Sequence, residues 1–299
     1  MQTTTAKPSK LKGKSPELVK PGKTKAVIFG RSGVGKTWFS LDFPSVYYID
    51  TEGGANGAQY QAKLQASGGV YMGPEDGSLD FGTVIEQMQA LATEAHGYKT
   101  LVIDSITKLY QTCIANEAER LGDKDAFGAS KKPAIAQMRR LVNWAMKLDM
   151  NIWLVAHEGT EWGVDEKTGQ RAEIGKSPDV WEKLIYELDL TLKASKRGAS
   201  RYASVYKSRV EGLKEGETFP LSYSEFSSRF GREGIEAQPK TIELASADQL
   251  AAVTRLLDTV KVTPADLEKV FTKAAVDRWE EMTIAQADAT IKWLKAKIA

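Results

Sequence analysis

The stretch Gly30-Arg31-Ser32-Gly33-Val34-Gly35-Lys36-Thr37 constrains this chain more than any other. It fits the pattern G-x-x-x-x-G-K-[ST], with the apolar run Ala26-Val27-Ile28-Phe29 before it and a helical stretch, Trp38 to Asp42, after it. A strand, a glycine-rich turn and a helix in that order form a cradle for phosphate, because glycines let successive backbone N–H groups turn inward around the oxygens. The helix adds the positive end of its dipole. Gly30 through Thr37 are therefore the expected nucleoside triphosphate-binding residues. Lys36 would reach the β- and γ-phosphates, and the Thr37 hydroxyl would bind Mg2+.

Three further apolar runs share the character of the first. Val46-Tyr47-Tyr48-Ile49 ends in Asp50-Thr51-Glu52, Leu101-Val102-Ile103 in Asp104-Ser105, and Ile152-Trp153-Leu154-Val155 in Ala156-His157. None alternates apolar with polar residues, as strands covered on both faces of a parallel sheet do not. Helical stretches, Thr83 to Ala95 and Ala134 to Leu148 among them, lie between the runs. The pattern predicts an α/β fold, a mostly parallel sheet sandwiched by helices, with its ligand at the carboxyl ends of the strands. The polar residues closing the four runs then form one site.

Roles follow from chemistry. Asp104 has the placement of a magnesium-side carboxylate, with helix capping as the plainer alternative. Ser105 follows it where many hydrolytic enzymes of this type carry Glu, so a general base must come from another strand end. Glu52 is the candidate. His157 is either a sensor of the γ-phosphate or an ordinary loop histidine. Lys207-Ser208-Arg209 closes a strand expected over Tyr202 to Lys207, paired with Asp189 to Lys193. Two cations there suit donation to the γ-phosphate of a neighbouring subunit, or form a solvated pair.

Charge and composition set the boundaries. The net charge is +2 over 299 residues, yet residues 1–24 carry six lysines against Glu17. Broken by Pro8, Pro16 and Pro21, they read as a flexible basic arm. A core over 25–240 and a three-helix module over 241–299 follow. The module rests on capping starts at Ser246 with Gln249, Thr263 with Asp266 and Thr283 with Gln286. One cysteine, Cys113, and two histidines argue against disulfides and a Cys/His zinc site. The absence of a signal-type segment or an apolar span predicts a cytoplasmic protein with no membrane partner.

Taken together and in order, GRSGVGKT, YYIDTE, LVIDS, LVAH and YKSR resemble the RecA-type ATPase core. More narrowly, the chain resembles phage nucleotide-binding proteins of the core-only RecA-like group, which act as single-strand annealing or recombination ATPases. The resemblance covers about residues 25–230. It implies ATP and Mg2+ as cofactors, Lys36 and Thr37 on phosphate and Mg2+, Asp104 as the metal-side acid and Glu52 as the base. His157 stands where the family often has Gln. Lys207 and Arg209 would act in trans within a ring or filament.

The resemblance also implies single-stranded DNA as a partner, with a single-strand-binding protein or another recombination factor beside it. The expected DNA contacts are Phe127, Lys131 and Lys132 in a basic segment with an interleaved aromatic. Lys196, Arg197 and Arg201 add to them in the acid-free stretch Lys193 to Arg209, which carries six cations. The segment Glu158 to Val180 reads as a long acidic loop. A DnaB-like helicase or another DNA motor of the same superfamily is the alternative.

Overall fold

The computed structural model describes residues 22–126, 128–164 and 168–298. In chain order β1 (Lys25–Gly30), α1 (Lys36–Ser40), β2 (Val46–Asp50), α2 (Ala58–Ala66), β3 (Val70–Met72) and α3 (Phe81–Thr93) open the fold. Next come β4 (Thr100–Asp104), α4 (Ile106–Leu121), α5 (Lys131–Lys147), β5 (Asn151–Val164), β6 (Arg171–Pro178) and α6 (Leu184–Glu187). Then follow β7 (Leu190–Arg197), β8 (Ser200–Ser208), β9 (Thr218–Pro220), α7 (Tyr223–Phe230) and α8 (Arg232–Glu236), and finally α9 (Ala247–Thr259), α10 (Pro264–Ala274) and α11 (Ile284–Lys295).

The strands form one sheet in the order β3-β2-β4-β5-β1-β7-β8-β9. Every pair from β3 to β7 is parallel, and β8 and β9 add an antiparallel edge. All six residues of β1 are buried, as a strand covered on both faces requires. Alternate residues split between two cores. Val27 and Phe29 face α3, α4 and α5, whereas Ala26 and Ile28 face α1, α7 and α8. This is a RecA-like P-loop fold: β5 stands between the phosphate-loop strand β1 and the Asp104 strand β4. The parallel register aligns Gly30 with His157 and Asp50 with Asp104, so the polar ends of all four runs meet at one edge.

Where a loop was expected over Glu158 to Val180, β5 continues to Val164 and pairs antiparallel with β6. Thr160, Trp162 and Val164 supply the β-branched and aromatic residues that favour such a hairpin. Trp162, Val164 and Ile174 are exposed on it.

The last three helices enclose a small core of Ala274, Val276 and Met282. Two of them start on full capping boxes, at Ser246 and Thr283, and α10 has Pro264 at its start. A bridge between Leu244 and Thr283 and a buried ion pair, Arg140 to Glu281, fasten this unit to α5 and its neighbours. Residues 1–21, which hold most of the expected basic arm, and Phe127 lie outside the described residues. Among the described residues, no helix is long and apolar enough to cross a membrane.

Candidate nucleotide site

At the carboxyl end of β1 the chain turns through the glycine-rich loop above a cleft of about 700 Å³. Gly30, Arg31, Ser32, Gly33, Gly35, Lys36, Thr37, Glu52, Asp104 and His157 all line it. Only Val34 of the eight loop residues turns inward, into the apolar core beneath. Gly35 holds φ +99°, a left-handed conformation that side-chain-bearing residues rarely adopt.

The Lys36 ammonium donates to the carbonyls of Gly30 (2.7 Å) and Arg31 (3.0 Å), which folds its stem over the loop. Burial lowers its pKa, while Asp104, Glu52 and Glu158 oppose the shift. Thr37 donates its hydroxyl to Asp104 Oδ2 at 2.7 Å, and Tyr48 donates to the same oxygen at 2.6 Å. Burial pushes the Asp104 carboxyl up, against these two donors.

Glu52 is placed by its neighbours. Buried Asp50 accepts the backbone N–H groups of Glu52 (3.1 Å), Gly53 (2.8 Å) and Ala55 (2.7 Å), and the Tyr71 hydroxyl (3.1 Å). Those bonds shape the turn that carries Glu52 out of β2. The Thr51 hydroxyl donates to the Ser105 carbonyl and accepts the Ser105 N–H, both at 2.9 Å, lacing the ends of β2 and β4 together. Ser105 then donates its hydroxyl to Glu52 Oε1, and His157 Nε2 lies 2.9 Å from the same oxygen. Glu52 Oε2 has no partner among the described residues.

Beside this network Glu158 holds Arg31 (3.3 Å) and Lys193 (3.6 Å). Trp38 and Tyr60 line the far wall, packed edge to face at 5.9 Å between centroids, with Lys63 over the Trp38 ring. Sequence reasoning counted Asp50 among the strand-end polar residues without its scaffolding role, and missed Tyr48, Trp38 and Tyr60 as site residues. A tryptophan directly after Lys36-Thr37 was the only sequence signal for Trp38, and the structure leaves it exposed.

The expected cations are spread over several places. Lys207 and Arg209 are not at this edge: β8 runs antiparallel to β7, and Lys207 pairs with Thr191 whereas β1 meets β7 at Phe29 and Lys193. Arg209, beyond the end of β8, lies further away still, at the opposite end of the sheet. There Lys207 donates to the Leu188 carbonyl, and Arg209 donates to the Tyr186 carbonyl with Asp189 at 3.9 Å. Arg201, grouped with Lys196 and Arg197, instead lines the nucleotide cleft. Lys131 and Lys132, expected in the same kind of surface, sit exposed in the first turn of α5 and do not line it. Lys196 and Arg197 are exposed at the β7–β8 turn, Arg197 over the Tyr202 ring at 5.4 Å.

A phosphate loop, a half-buried acid on the adjacent strand but one and a carboxylate at a third strand end define a P-loop ATPase. Residues 22–220 match the family model described as an AAA domain, and the chain belongs to that family. None of the curated proteins matches. A solved structure of a prototypical ATPase from the type III secretion system of pathogenic bacteria is similar at 12% identity, over 96% of this chain and 89% of that one, with a TM-score of 0.39.

Proposed function

We propose that this chain is a Mg2+-dependent ATPase that works as an oligomer on single-stranded DNA, in annealing or strand exchange. One observation carries the reading. Glu52, held by Ser105 and His157, and the cationic turn at Lys196 and Arg197 lie at the same edge of one sheet.

The residues suit the cation. The Thr37 hydroxyl and the Asp104 carboxylate, 2.7 Å apart, are hard oxygen donors of the kind Mg2+ takes. They would hold it there, directly or through water. When bound, it neutralises charge on the β- and γ-phosphates. Lys36 adds a positive charge from the loop, once ATP draws its ammonium off the Gly30 and Arg31 carbonyls. Glu52 works as the base: Ser105 and His157 occupy Oε1, which leaves Oε2 to take the proton of the attacking water. His157, bonded to that carboxylate in the middle of β5 where the hairpin begins, would pass the state of the γ-phosphate into the β5–β6 hairpin.

Basic side chains on the β7–β8 turn support contact with a polyanion at this edge, since phosphate contacts dominate affinity for nucleic acid. A partner of the single-strand-binding type belongs to the same reading. The trans role of Lys207 and Arg209 holds only if a neighbouring subunit brings its cleft to the opposite edge.

Steady-state ATP hydrolysis with and without single-stranded DNA tests the proposal. Hydrolysis should rise with DNA, vanish without Mg2+, and fall at least a hundredfold in Lys36→Ala. Hydrolysis indifferent to DNA would remove the nucleic-acid part. Duplex unwinding without annealing would favour a DNA motor.

A further inference from the structure

Arg201 projects from β8 and reaches the glycine-rich loop of its own chain. The Gly35 backbone and the Arg201 stem touch: a Cβ on Gly35 would stand 2.5 Å from Arg201 Cδ and 2.8 Å from Nε. Gly35 is thus the residue that lets the arginine lie across the loop, one position before Lys36 and two before Thr37. The guanidinium lines the same cleft as those two residues.

Its electrostatic setting is unusual. Arg201 pairs directly with Lys196 across the β7–β8 ladder. Two like charges facing each other across antiparallel strands repel. Neither side chain has a hydrogen bond or an ion pair among the described residues. Glu158, the nearby acid, is taken by Arg31 and Lys193. Neighbouring cations in this protein do find partners, as Lys63 finds Asp42 at 2.6 Å. An uncompensated guanidinium laid over a phosphate loop is a site prepared for an anion.

We infer that Arg201 binds the phosphate chain of the nucleotide held in its own chain's cleft, acting in cis. The inference rests on the ATPase reading. A guanidinium suits the role better than an ammonium, because its planar fork meets two phosphate oxygens at once. Trp38 and Tyr60 line the same cleft with aromatic rings that offer no charge to phosphate. A phosphate chain held by Arg201 would also offset its repulsion with Lys196.

The test is equilibrium titration of a fluorescent ADP analogue, with tripolyphosphate as a competitor, on the full chain and on Arg201→Ala and Arg201→Lys. Thermal melting checks that each variant folds. Arg201→Ala should weaken ADP about tenfold or more, a hydrogen-bonded charge being lost. It should weaken tripolyphosphate by a similar factor, and Arg201→Lys should recover part of both. Binding of ADP and tripolyphosphate within twofold of the parent chain would overturn the inference. So would a loss for ADP with tripolyphosphate unchanged, which would place Arg201 on the nucleoside, or a loss confined to single-stranded DNA. The readout needs neither hydrolysis nor DNA, so failure of the DNA proposal leaves it intact. A parent chain that binds no ADP would instead overturn the ATPase reading beneath it.

Discussion

At the scale of single residues, the site is a set of carboxylates in three different circumstances. Asp50 is saturated by backbone and hydroxyl donors and serves as a scaffold. Asp104 is half-buried and shares one oxygen between two hydroxyls. Glu52, at the mouth of the same cleft, has Oε1 gripped by Ser105 and His157 and no partner for Oε2 among the described residues. Glu52→Gln should lower the ATP turnover number by about a hundredfold or more, the worth of a general base. Nucleotide affinity should stay within a few fold, because the amide keeps shape and bonds. Single-turnover kinetics beside nucleotide titration would show it; equal losses in both would make Glu52 a binding residue. The base candidate was legible from its place two residues beyond an apolar run. Ser105 and Asp50 as its supports were not, because lacing between β2 and β4 follows from register, and register is a property of the sheet.

At the scale of elements, two hairpins and one helical unit depart furthest from what local sequence shows. The β5–β6 hairpin was hidden by its acidic residues, although the period-two pattern of Thr160, Trp162 and Val164 was present. The β7–β8 hairpin was visible from its apolar runs, but which end of it meets the phosphate loop was not. An antiparallel return reverses the order of its cations, which sends Arg201 to the cleft and Lys207 to the far edge. The three C-terminal helices were legible from their caps, yet their attachment depends on a long-range pair. Glu281, 3% exposed, takes Arg140 Nε at 2.9 Å and also the Asp277 N–H at 3.0 Å. Removing one partner of a buried pair leaves a charge uncompensated. Glu281→Ala should therefore cost about 3 kcal/mol and loosen this unit first. Native-state hydrogen exchange should show α9 to α11 losing protection while β1, β4 and β5 keep theirs. Uniform loss across the chain would mean that the helices and the sheet unfold as one.

At the scale of the whole molecule, one buried cation joins strand to helix. The Lys25 ammonium, at the start of β1, donates to the carbonyls of Ala145 (2.7 Å), Leu148 (2.5 Å) and Met150 (2.8 Å). It closes the end of α5 on the base of the sheet. Burial pushes its pKa down to about 7, with Asp149 and Asp189 opposing. In the unfolded chain a lysine titrates at about 10.4. Between those values the unfolded state binds a proton that the folded state lacks, so stability rises with pH. The penalty is present in full below about pH 7 and is removed as pH climbs above it. Urea unfolding at pH 7, 8 and 9 should show a gain approaching about 1.4 kcal/mol per pH unit from this group. Lys25→Met should lose that slope. An identical slope in the variant would show that Lys25 stays charged on its three carbonyls throughout.

The sequence by itself determined the phosphate loop, the buried parallel strands, the polar residues that end them and the helical caps. Each is a local matter: glycine freedom, two-faced burial and hydrogen bonding within one turn all act over a few residues. Only the tertiary structure decided which cations share the cleft, which hydroxyls each carboxylate holds and how the last three helices attach. Those depend on strand direction and register, and a chain reveals these only when residues far apart in sequence come within a few ångströms.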